Sequence, residues 1–122
     1  MNVIIAEDNE SIFTQIKTTL EEYIPGLCAS GYGTSTITDA LISKQLLILD
    51  LDYDGKRSLD LLRQIRHQSN IPILVVAHMD DDPDRLFKAL EFGANEYVFK
   101  PLIASKLLAQ VKLIMKGRGY AS

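Results

Sequence analysis

The chain has 122 residues, enough for one domain with a single hydrophobic core, and its 47% apolar and 24% charged residues are ordinary for a globular domain. With 13 Lys+Arg against 16 Asp+Glu the net charge is −3, which argues against a basic nucleic-acid-binding surface. No apolar stretch approaches the ~20 residues of a membrane span, and the lone Cys28 excludes an internal disulfide.

The start MNVIIAEDN lacks the basic flank and cleavage site of a secretory signal, so a soluble cytoplasmic domain is expected. Without a CxxC, and with His67 and His78 as its histidines, the chain offers no structural zinc site. Residues 3–6 (VIIA) are apolar on both faces, the pattern of a buried strand. Asp8 or Asn9 is placed to cap a helix carrying Ile12, Phe13, Ile16, Leu20 and Tyr23, and Pro25-Gly26 ends it. A weaker strand covers residues 27–32, with Cys28 read as a small core residue. A short helix follows over residues 34–43, with Ile37, Leu41 and Ile42 inward.

Residues 46–51 form the most apolar strand, and a polar loop at 52–57 leads to a helix that starts at Ser58 and carries Leu59, Leu62 and Ile65. Pro72 introduces a strand over 73–77. Asp82 caps a helix that begins at Pro83, carries Leu86, Phe87 and Leu90, and stops at a left-handed Gly93. The acidic run there reads as a helix start with a solvated face, not a second metal site. Residues 96–99 are the last strand, and after Pro101 a helix uses Leu107, Leu108, Val111, Ile114 and Met115. Residues 1–116 read as one domain and residues 117–122 as a tail or the start of a linker.

Alternating strands and helices, with strands apolar on both faces, predict a parallel sheet covered on both sides and a site beyond the carboxyl ends of its strands. Three of those ends are charged: Glu7 and Asp8, Asp50, and Lys100. Carboxylates crowded beside one ammonium suit a divalent cation and the transfer of a phosphoryl group to one of the acids.

These residues resemble the receiver domains of bacterial two-component response regulators. The acidic pair after the first strand, Asp50 after the third and Lys100-Pro101 after the fifth come in the family's order. The segments LDLLRQIR, PILVVA and FGANEYVFKP extend the likeness over roughly residues 2–116. The resemblance implies an α/β, flavodoxin-like, doubly wound five-stranded parallel sheet in the order 2-1-3-4-5. It implies Asp50 as phosphoacceptor, Lys100 as the contact to the phosphoryl group, and Mg²⁺ or Mn²⁺ on Asp8, Asp50 and the backbone carbonyl of Asp52, with Glu7 acting through water. The Lys100–Pro101 bond is a candidate cis peptide. The implied partners are a sensor histidine kinase or phosphotransfer protein, an output domain or effector, and a second copy through the fourth helix, fifth strand and fifth helix. Direct binding of nucleic acid or membrane is not expected.

The chain also departs from the family. Ala77 stands where a Ser or Thr hydroxyl is usual. His78 reads as an exposed loop residue, the alternative being that its ring covers the phosphoryl group or donates in place of the hydroxyl. Asp54 reads as solvated, whereas the Asp52 side chain is placed to raise metal affinity or orient water. Tyr97 holds the family's aromatic switch position, with a buried core tyrosine as the competing reading. Ala77 favours one alternative function, a phosphorylation-independent pseudo-receiver that acts as an interaction scaffold. A small aspartyl-phosphate phosphatase, suggested by Asp50-Leu51-Asp52, and a flavin-binding module fit this length and acidic pocket less well.

Overall fold

Leu46 to Asp50 are all buried, a pattern only a strand covered on both faces and both edges produces. In the computed structural model, which describes residues 1–32 and 37–117, this strand is the centre of a parallel sheet. β1 (Asn2–Ala6), β2 (Cys28–Gly31), β3 (Leu46–Asp50), β4 (Ile73–His78) and β5 (Glu96–Lys100) run in the order β2-β1-β3-β4-β5. The helices are α1 (Glu10–Tyr23), α2 (Ile37–Leu41), α3 (Ser58–Gln68), α4 (Pro83–Glu91) and α5 (Ala104–Gly117). The flavodoxin-like, doubly wound order implied by the resemblance is the order observed.

Alternation along the strands divides the interior in two. Val3, Ile5, Leu46, Ile48, Leu74, Val76 and Val98 pack with Ile16 and Leu20 of α1 and with Leu107, Val111 and Ile114 of α5. Ile4, Ala6, Leu47, Leu49, Ile73, Val75 and Ala77 pack on the other face with Ala40, with Leu62 and Ile65 of α3 and with Ala89 of α4. Local signals set the helix ends as expected. Asn9 Oδ1 accepts from the Ile12 amide at 3.0 Å, and Asp82 Oδ1 accepts from the Asp84 amide at 2.9 Å with Pro83 as the first helical residue.

The structure corrects several local expectations. Cys28 is exposed, because the edge strand β2 is covered on one face only and Ala29 takes the buried position. Phe87 is 60% exposed: at about 100° per residue, a face carrying Leu86, Ala89 and Leu90 turns Phe87 away. Ile42 and Tyr23, expected inward, are also exposed, Ile42 just past the end of α2 and Tyr23 at the end of α1. The loop after β3 contains one turn, Tyr53–Lys56, in which Asp54 (φ 54°) and Gly55 (φ 61°) are both left-handed. β4 extends through His78 and β5 through Lys100, one residue beyond each expected strand. α5 reaches Gly117, so Gly117 is helical rather than tail. The expected helix start at Thr34, the Ile37 side chain and residues 118–122 fall outside the described residues. Among the described residues no helix is long and apolar enough to cross a membrane.

Gly93 ends α4 with φ +113°, and its carbonyl accepts Arg66 Nε at 3.1 Å and Nη2 at 2.8 Å. A Cβ there would lie 2.6 Å from Arg66 Nε. Gly93→Ala is therefore expected to destabilise the fold by about 1–3 kcal/mol, through backbone strain and displacement of Arg66. Urea unfolding checks this: the midpoint should fall with an unchanged slope.

Candidate functional site

The sheet register brings the charged strand ends together. Ala6 lies beside Leu49, Asp50 beside Val76, and His78 beside Lys100. The residue after Ala6 is Glu7, so Glu7, Asp50, His78 and Lys100 gather at one carboxyl edge. Strand alternation puts all four on the face covered by α1 and α5.

Asp50 is 1% exposed and Lys100 8%, and Lys100 Nζ lies 2.5 Å from Asp50 Oδ2. Asp50 Oδ1 accepts from the Asp52 amide at 2.8 Å, which folds the chain back over the strand end. Asp8 Oδ2 accepts from the Asp54 amide at 2.8 Å, so the left-handed turn after β3 is hooked to the loop after β1. Glu7 Oε2 accepts from the Asn9 amide at 3.3 Å. Burial, then hydrogen bonding with Asp50 and the negative charge of Asp50, pushes the Glu7 carboxyl from its ordinary 4.5 up to about 7; the Asn9 amide and Lys100 pull the other way.

Glu7 Oε1 and Asp50 Oδ2 are buried with no aligned hydrogen-bond donor. Lys100 meets Asp50 Oδ2 as a charge, off the direction of a hydrogen bond. Buried acceptors of this kind are rare, and hard oxygen donors crowded to the point of raising a carboxyl pKa match a divalent cation. Among the described residues no three His, Cys, Asp or Glu side chains already form a metal-binding cluster. The two orphaned carboxylate oxygens supply only part of a divalent cation's coordination, so an ion held here would keep several waters.

The other singled-out residues separate into two groups. The Asp52 carboxylate meets two basic side chains: Oδ1 lies 3.3 Å from Arg85 Nη1 and Oδ2 lies 3.6 Å from His78 Nε2. His78 is thus a strand-end residue at the rim of the site rather than a loop residue. Beside it a groove of about 560 Å³ opens between Ile12, Gln15, Met79 and Lys100. Ala77 is 1% exposed and belongs to the opposite core, and its methyl offers no donor at this strand end. Tyr97 is 38% exposed and packs edge-on against Phe99, with ring centroids 5.4 Å apart, so it is not a core residue. The Lys100–Pro101 peptide is cis.

Two side-chain roles escaped the sequence reading. Ser58 is fully buried, and its hydroxyl donates to the Leu51 carbonyl. Arg85 reaches from α4 to the Leu51 carbonyl in the segment just after β3. The i,i+4 spacing of Asp81 and Arg85 was the one available signal for Arg85.

A doubly wound parallel sheet with a buried aspartate and a buried lysine at its carboxyl edge defines a flavodoxin-like domain with its site at that edge. Comparison with known proteins makes this specific: the response regulator receiver domain family matches residues 3–112, and the chain belongs to that family. Among curated relatives, the sensory transduction protein RegX3 of Mycobacterium tuberculosis is 28% identical over 97% of this chain. The response regulator ArlR of Staphylococcus epidermidis is 29% identical over 94%. The chain spans about half the length of these relatives, 52% in both cases. Among solved structures, a two-component response regulator from Clostridium difficile superposes with a TM-score of 0.80 at 24% identity, covering 95% of this chain and 96% of that one. NtrX from Brucella abortus gives 0.82 at 19%, covering 95% and 27%. At these identities the structures speak for the fold alone.

Proposed function

We propose that the domain is a phosphorylatable switch in which Asp50 accepts a phosphoryl group from a sensor histidine kinase or a phosphotransfer protein. The observation that carries this reading is the 1%-exposed Asp50 held against Lys100 at the carboxyl edge, with Glu7 adjacent. A carboxylate oxygen of Asp50 forms the new bond to phosphorus as the bond between phosphorus and the donor breaks, and the donor leaves with the bonding electrons. The product is an acyl phosphate. The Lys100 ammonium offsets negative charge on the phosphoryl oxygens, and its burial strengthens that effect. A bound Mg²⁺ or Mn²⁺ would be held by Asp8, Asp50 and the Asp52 carbonyl, with Glu7 acting through water, and would supply positive charge to the pocket. The domain acts only on itself, through its own phosphorylation and loss of phosphate, and works in the cytoplasm.

The signal passes to an output domain or effector, or to a second copy, through the face of α4, β5 and α5. Exposed Phe87, Tyr97, Phe99 and Ile103 support that surface. Ala77 provides no hydroxyl for the new phosphoryl oxygens. A hydrogen bond to a charged group contributes about 1.5–3 kcal/mol, and the link between phosphorylation and movement is weaker by that amount. Ala77 also favours the second reading, a phosphorylation-independent scaffold.

The deciding experiment is incubation with acetyl phosphate and Mg²⁺ followed by intact-mass measurement. One phosphoryl group should be added, and Asp50→Asn should abolish it. Absence of both a Mg²⁺-dependent adduct and beryllofluoride binding would establish the scaffold instead.

A further inference from the structure

Arg85, in the first turn of α4, plays no part in that chemistry, yet its guanidinium joins three segments around the acceptor. Nη2 donates to the Leu51 carbonyl, while Nη1 lies 3.3 Å from Asp52 Oδ1 and 3.4 Å from Asp81 Oδ1. Leu51 directly follows the acceptor, and its amide donates to the Val76 carbonyl at 2.9 Å. Asp81 Oδ2 in turn accepts from the His78 amide at 3.2 Å. One planar fork thus binds α4 to the acceptor loop and to the loop after β4. An ammonium on a lysine stem lacks the geometry to do all three.

Two independent observations give this tether weight. Ala89 is the fully buried residue of α4, and Leu86 and Leu90 are only partly buried against the same core, so the polar fork adds to a modest apolar seat. The neighbouring strand end carries Ala77, whose methyl provides no polar connection. The Arg85 side chain itself is 19% exposed, so its bonds are sheltered from water more than those of a surface ion pair.

We propose that Arg85 is a positioning residue that holds the Leu51–Asp52 backbone in place and forms the mechanical link between the acceptor and α4. The tether is a property of the resting domain. Its signalling half rests on the phosphoryl-switch reading: a phosphoryl group on Asp50 adds negative charge beside Asp52, redistributes the Arg85 bonds and moves the helix that carries Arg85.

Amide hydrogen exchange on the full chain tests both halves, using wild type, Arg85→Met, Arg85→Lys and Asp52→Asn. In the resting protein, loss of one charge-assisted hydrogen bond should speed exchange by about tenfold in α4 and also at the Asp52 and Asp54 amides. Lys at position 85 should not rescue it, and Asp52→Asn should loosen α4 although it lies on another element. A role confined to packing α4 would leave the acceptor-loop amides and the Asp52→Asn protein unchanged, and that result overturns the tether. With saturating beryllofluoride and Mg²⁺, α4 exchange should change in wild type and stay constant in Arg85→Met. An equal response in both overturns the coupling. If wild type takes up no beryllofluoride, the switch reading fails together with the coupling half, while the resting-state rates still decide the tether. If Arg85→Met does not unfold cooperatively, Arg85→Lys and Asp52→Asn carry the same comparison.

Discussion

Lys100→Met is expected to lower the melting temperature by on the order of 10 °C at about pH 8 and to slow phosphoryl uptake from acetyl phosphate by about 10²–10³-fold. Lys100 is 8% exposed and lies 2.5 Å from an Asp50 that is 1% exposed, with the strained Glu7 as neighbour. Removing one member of a buried ion pair leaves the other uncompensated, a loss of about 3–5 kcal/mol. Met fills most of the same volume, so packing contributes little to the change. The deficit should shrink as pH falls through about 7, where Glu7 takes up a proton, and should shrink again on adding Mg²⁺. Thermal unfolding of both proteins, with and without Mg²⁺ at two pH values, measures it. Equal melting temperatures would mean that Lys100 is an ordinary solvated surface charge.

Glu7→Gln should act in the opposite direction. In the folded chain the Glu7 carboxyl titrates at about 7 against an ordinary 4.5, chiefly because burial and then Asp50 disfavour its charged form. A group whose folded pKa is raised contributes stability that is complete below the unfolded value and is lost as pH rises through the folded one. Here that window runs from about 4.5 to about 7. Gln stays neutral throughout, keeps an oxygen for the Asn9 amide and offers an N–H toward Asp50. The variant should therefore match wild type below about pH 4.5 and exceed it at about pH 8. Because Glu7 is only half-buried, solvent screening reduces the gain to on the order of 1 kcal/mol, a few degrees in melting temperature. The same change removes a negative charge from the proposed cation site, so Mg²⁺ affinity should fall while metal-free stability rises. A wild-type melting temperature that is flat across this window, without metal, would show that Glu7 carries no strain.

The two substitutions bear on one feature, a pocket whose crowded acids oppose folding, are offset by Lys100, and serve the proposed chemistry. Its members were legible because each ends an apolar strand, and parallel strands align their carboxyl ends. Strand type, helix caps at Asn9 and Asp82 and the left-handed Gly93 were readable for a similar reason, since each depends on residues close in sequence. The order of the strands came with the family resemblance, not with the periodicity.

What lay beyond the sequence depends on the angle at which one element meets another. The turn that exposes Phe87 follows from how α4 lies on the sheet, and the exposure of Cys28 from the single covered face of edge strand β2. Tyr97 faces outward, and the Asp52 carboxylate meets Arg85 and His78, which approach from other elements. Local chemistry along the chain determines which residues reach the carboxyl edge: hydrophobic burial and capping act over a few residues. Only the packed structure decides which of those side chains meet, because contacts such as Arg85 to Leu51 join residues 34 apart in sequence. No periodicity records such a contact.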